Sequence, residues 1–138
     1  METSPIPPMA PAEDPFTPEE TEAGKVMAAV AYGLTLAFAL PLGLLPMVTR
    51  DNRYSLYHGK QAFMAWIVVA VLFAAAAPLM MVCGIGVIPL GVGMVCHLLF
   101  NIMGLVNAIQ GKAQPLPLIG PWAQQWFKGV RVKPGTGS

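Results

Sequence analysis

Residues 61–110 contain no Asp, Glu, Lys or Arg. Fifty residues without a formal charge cannot form the surface of a soluble domain in a chain of 138 residues. Soluble domains carry about 25% charged residues, and here the whole-chain value is 11%. In hydrocarbon a central Arg, Lys or Asp costs about 2.5–3.5 kcal/mol on insertion scales, so a charge-free run is what a bilayer selects. The run divides at Cys83-Gly84-Ile85-Gly86 into two apolar segments, 61–82 and 87–109. About 20 helical residues cross about 30 Å of hydrocarbon. Each segment therefore suffices for one span, and together they predict a transmembrane helical hairpin.

A third apolar segment, 26–49, precedes them, with Pro41-Leu42-Gly43 and Pro46 interrupting its second half. A proline in mid-membrane removes a backbone hydrogen bond and kinks the helix, and neighbouring helices must satisfy the freed carbonyl. The expected fold is an all-α integral membrane bundle of three spans (about 26–49, 61–82 and 87–109). The first span is kinked; the alternative is a re-entrant pair of half-helices with both ends on one side. In the second span, Ala74-Ala75-Ala76-Ala77 offers a smooth surface for close helix approach, as Gly86, Gly91 and Gly93 do around the start of the third.

The flanks read differently. Residues 1–24 hold six of the seven acids and six prolines, a composition that cannot repay the entropy of ordering, so a disordered tail is expected there. Thr17-Pro18-Glu19-Glu20 nevertheless suits a helix start, with Thr17 as N-cap and Glu20 at the third position. After the third span, a proline-punctuated stretch leads to Trp122 and Trp126, one helical turn apart with Lys128 beside them. This predicts a short interfacial helix within 115–128 lying on the membrane, followed by a flexible tail, 129–138. Bases concentrate in the 50–60 loop (Arg50, Arg53, Lys60) and the C-terminal segment (Lys112, Lys128, Arg131, Lys133), and none lies in the turn at 83–86. By the positive-inside rule the loop and the C-terminus are cytoplasmic, in a bacterial inner membrane.

Candidate functional residues are few. Tyr54, Tyr57, His58, Lys60 and Gln61 cluster where the second span meets the membrane. His58 and Gln61 share a helix face, suited to bonding loop carbonyls freed near Pro46, while Lys60 can snorkel to phosphate headgroups. In the third span His97, Asn101 and Gly104 lie on one face and Asn107 follows three residues on. Such a stripe belongs against other spans or a partner subunit. His97 could also ligate haem, a pigment or copper. Cys96 points about 100° away around the helix, which suits a shared ligand set poorly, and methionines commonly fill apolar interiors. Neither cysteine belongs to a disulfide framework. No catalytic constellation, metal spacing or nucleic-acid footprint is present, so no enzymatic activity, cofactor or resident metal is expected.

The stretch Tyr54-Ser55-Leu56-Tyr57-His58-Gly59-Lys60-Gln61-Ala62, set between a proline-broken segment and a span, resembles an element of a bacterial family of small membrane proteins of unknown function. Asn107-Ala108-Ile109-Gln110-Gly111-Lys112 followed by Pro117-Leu118-Ile119-Gly120 resembles the end of that family's third span. Gly59 stands where Ala is commoner in the family. The family is similar to the import component of the chloroplast Tic translocon and includes the magnetosome membrane proteins MamF and MmsF. The resemblance implies a non-enzymatic protein. The expected role is an accessory or assembly subunit whose partners are the lipid bilayer and other membrane proteins or further copies of itself. An oligomeric translocation component is the reading by analogy with Tic.

Overall fold

The computed structural model describes residues 16–134. Five helices occur among them: α1 (Pro18–Phe38), α2 (Leu44–Thr49), α3 (Arg53–Met81), α4 (Val87–Ile109) and α5 (Gly120–Trp126). The predicted hairpin is α3 and α4, joined by the turn through Cys83 and Gly84, both with positive φ. These two helices, not three, are long and apolar enough to cross a membrane. Only 22% of the most apolar stretch of α3 and 28% of that of α4 is buried within the protein. A core helix of a soluble domain would be mostly covered, so these faces fit lipid or a partner.

The first apolar segment is not a single kinked span. α1 runs beside α3 in the same direction: the Asn52 amide donates to the Glu20 carbonyl (2.9 Å), and the Trp66 indole donates to the Ala39 carbonyl (2.8 Å). α1 stops near the midpoint of both long helices, where Ala39 takes a left-handed conformation (φ 54°). The chain then turns through Pro41 and Gly43, and α2 returns along α3 to Arg50. Both ends of this segment lie at the same end of the bundle, which is the re-entrant arrangement. Two glycines permit the return. A side chain on Gly43 would strike the Gly59 carbonyl and the Phe63 amide, and one on Gly59 would strike the Pro46 ring. Alanine at position 59 would not fit this packing.

α1 begins at Pro18, so residues 18–24, assigned to the tail by composition, are helical. Thr17 and Glu20 form the expected capping box: the Glu20 amide donates to Thr17 Oγ1 (3.1 Å), and the Thr17 amide donates to Glu20 Oε2 (3.0 Å). The rest of the expected N-terminal tail, 1–15, lies outside the described residues, as do 135–138. The C-terminal stretch is tied back, with the Lys133 amide donating to the Arg50 carbonyl (3.0 Å).

α3 is the hub. It packs on every other helix; α1 and α4 also pack on each other, and α5 packs on α3. The buried cluster lies in the half of the bundle nearest the termini, around Ala28, Tyr32, Tyr54, Met64, Phe100 and Ala108. Close helix contact there needs Gly104, because a side chain at that position would occupy the space of the Tyr32 ring. The far half is α3 and α4 alone, with Gly93 against the Phe73 ring and Gly86 against Ala76 and Met80.

Candidate functional site

A helix that stops leaves its last carbonyls without intrahelical partners, and in a membrane no water replaces them. α4 ends at Ile109 and a proline-rich extended stretch follows, so several backbone groups need partners. One face of α3 supplies them, through residues spaced three or four apart. The Tyr54 hydroxyl lies 3.3, 3.2 and 3.2 Å from the carbonyls of Asn107, Ala108 and Lys112. The Tyr57 hydroxyl donates to the Ala113 carbonyl (3.1 Å), and the Leu116 amide donates to Gln61 Oε1 (2.6 Å).

His58 completes this stripe. Its Nε2 is 2.9 Å from the Lys112 carbonyl. A carbonyl only accepts, so Nε2 carries a proton, and in the neutral ring Nδ1 accepts from the Tyr32 hydroxyl at 3.4 Å. Edge-on rings surround the imidazole, with centroids at 4.7 Å for Tyr54, 5.3 Å for Tyr57 and 5.7 Å for Tyr32. The stripe thus joins α1, α3 and the chain after α4. Its partners are residues 107–116, not carbonyls near Pro46; Pro46 instead packs on Gly59.

Lys60 lies off this stripe. As a whole residue it is only 8% exposed. It lines a cleft of about 410 Å³ together with Arg53, Arg131 and Gln124. Phe16, Val130 and Val132 supply apolar wall. The Arg53 guanidinium is 3.4 Å from the Glu20 carboxylate and stands over the Phe16 ring.

The polar stripe of α4 faces α1. His97 Nε2 donates to the Leu36 carbonyl (3.3 Å), an oxygen orphaned by the end of α1. Asn101 Nδ2 donates to the His97 carbonyl (2.8 Å) and lies 3.4 Å from His97 Nδ1. Both ring nitrogens of His97 thus lie within reach of protein groups. The third member differs: Asn107 is half-buried and offers its carbonyl to Tyr54. Among the described residues, no three His, Cys, Asp or Glu side chains come together to hold a metal ion.

α5 packs against α3, with the Phe127 ring 5.6 Å from Phe63 and the Gln124 amide donating to the Tyr57 carbonyl (3.2 Å). Trp122 and Trp126 are exposed and flank an apolar groove with Val68 and Val71 of α3. Lys128 is exposed beside them. The helix therefore rests on the bundle wall, at the level of the apolar part of α3.

Sequence reasoning missed Trp66, Tyr32, Glu20 and Asn52 as site residues. Trp66 and Tyr32 each carry one polar atom within an apolar run, and that was the available signal. Glu20 and Asn52 sit at helix starts, where their capping function masks their tertiary contacts.

The sequence profile of the "Magnetosome magnetite crystal formation protein family" matches residues 23–123. The chain is 36% identical over 95 residues to "Magnetosome protein MmsF" of Paramagnetospirillum magneticum (strain ATCC 700264 / AMB-1), across 68% of this chain and 79% of that protein. No solved structure matches.

Proposed function

Since the chain belongs to the magnetosome magnetite crystal formation protein family, we propose that it is a non-enzymatic accessory component of a magnetosome membrane. It acts by holding other membrane proteins, or further copies of itself, in place there. The observation that carries this reading is the far half of the α3–α4 hairpin. α1, α2 and α5 do not cover it, and its surface combines exposed Ala74 and Ala77 with Gly91, beside which there is open space. Small residues on an uncovered membrane-helix face favour close association with another helix. The side chains of Tyr54, Tyr57, His58 and Gln61 are engaged in joining the protein's own elements, which supports an organising role over a catalytic one. In this reading the start of α1, the 50–53 loop and the stretch after α5 face the cytoplasm and the Cys83 turn faces the opposite compartment.

The test is complementation. The gene is expressed in a magnetosome-forming bacterium lacking its own family member, and magnetite crystal dimensions are measured by electron microscopy. The tagged protein is purified in mild detergent alongside. Restored crystals together with a dimer or a co-purifying membrane protein support the proposal. A strictly monomeric particle with nothing bound, in cells whose crystals stay defective, contradicts it.

A further inference from the structure

We propose that the cleft between the start of α3 and the C-terminal stretch binds the phosphodiester headgroup of an anionic lipid. Lys60 is 8% exposed as a whole residue, with its stem covered and its ammonium reaching the open cleft, where an anion would replace part of its hydration. Lys60 has no carboxylate partner among the described residues. The nearby acids are committed elsewhere: Glu20 to Arg53, Glu22 to Lys25 and Asp51 to Lys133. Arg131 lines the same cleft as Lys60, and among the described residues no carboxylate lines it. Three cations line this cavity of about 410 Å³, Arg53 with its Glu20 partner and Lys60 and Arg131 with no carboxylate partner among the described residues, and such a surplus of positive charge is a site for an anion.

The surroundings select the kind of anion. Gln124 adds an amide to the polar wall, and its Nε2 already donates to the Tyr57 carbonyl. Beside the cations the cleft is lined by Phe16, Leu56, Val130 and Val132, which suit a glycerol backbone and the first methylenes of an acyl chain rather than a free hydrated ion. The cleft also lies where α3 passes from its polar start into its apolar run, the level at which headgroups sit. Arginine and lysine at that level recognise lipid phosphate by charge.

Native mass spectrometry of the full chain in mild detergent tests this, with phosphatidylglycerol and phosphatidylcholine as the added lipids. Phosphatidylglycerol should remain bound through the transition to vacuum and phosphatidylcholine should not. Arg131→Gln, at an exposed position that the fold does not need, should weaken retention about fivefold, and Lys60→Gln with Arg131→Gln about 25-fold. Lys128→Gln, an exposed cation outside the cleft, should leave retention unchanged. Excess inorganic phosphate should not displace the lipid. Equal loss in Arg131→Gln and Lys128→Gln, equal retention of the two lipids, or displacement by inorganic phosphate would each overturn the proposal, the last by reassigning the cleft to a free anion.

Discussion

His97 Nε2 on α4 lies 3.3 Å from the Leu36 carbonyl oxygen on α1. This contact closes the end of a helix that stops halfway along its neighbours, where a bare carbonyl has no water to turn to. With the Trp66 indole on the Ala39 carbonyl, it explains why two polar side chains stand within otherwise apolar runs. Both hold the turning point of the re-entrant segment.

His97→Leu should therefore destabilise the protein by about 1–3 kcal/mol, the usual penalty for a buried carbonyl left without its donor. The midpoint of thermal unfolding in detergent reads this directly. The visible absorption spectrum should be the same for both proteins. An unchanged midpoint, or a visible band lost with the histidine, would return His97 to the ligand reading.

Ala39 ends α1 in the left-handed region at φ 54°, where a β-carbon costs about 1–2 kcal/mol. Glycine is the usual residue at such a helix end. Part of the gain is offset by the greater freedom of glycine in the unfolded chain. Ala39→Gly should still raise stability by about 0.5–1 kcal/mol, seen as a higher midpoint with no change in helix content. A lower midpoint would contradict the turn geometry.

Gly104 touches the ring of Tyr32 so closely that a methyl group has no room. Gly104→Ala should cost about 1–3 kcal/mol, as overpacking does. In a Tyr32→Ala background the same change should cost far less, because residues in contact are not additive. Equal costs in the two backgrounds would place α1 away from α4.

Gln61→Met keeps the volume and removes the acceptor of the Leu116 amide, a 2.6 Å bond. Gln61 Nε2 has no hydrogen-bond partner within 3.5 Å among the described residues, so the substitution also removes a poorly satisfied buried donor, and the net cost should be near 1 kcal/mol. The local signature is sharper than the global one. Hydrogen exchange at Leu116 should accelerate, and the stretch from Ala113 to Phe127 should become sensitive to protease.

The sequence carried the two long apolar helices of the hairpin through the absence of charge and the segment lengths, but not the start of α3, which takes in most of the expected 50–60 loop and begins at Arg53. It carried the capping box at Thr17 and Glu20 for a local reason: the pattern spans four residues. Helical spacing placed His58 and Gln61 on one face; that Tyr54 and Tyr57 join them, and that Lys60 does not, follows from α3 beginning at Arg53 and was not legible. The partners of that stripe were not legible, since which backbone the face meets depends on where residues 107–116 run. The direction of the chain after Phe38 was not legible either. Pro41, Gly43 and Pro46 announce a break, but a kink and a return need the same residues. The choice rests on contacts distant in sequence: Gly43 and Pro46 against Gly59, Trp66 at Ala39 and His97 at Leu36. The Lys60 cleft escaped detection because its walls come from the chain before α1, from α3 and from beyond α5.

The central claim is that the first apolar segment enters the membrane and returns, so that α1 begins on the face where α3 begins. Single cysteines at the exposed positions Glu22 and Lys128, each in a Cys83→Ser, Cys96→Ala background, and native Cys83 with only Cys96 replaced, test it with a membrane-impermeant thiol reagent applied to intact cells and to inverted vesicles. The account predicts that Glu22→Cys and Lys128→Cys react from the same side and Cys83 from the other. Labelling of Glu22→Cys from the side that labels Cys83 would contradict it.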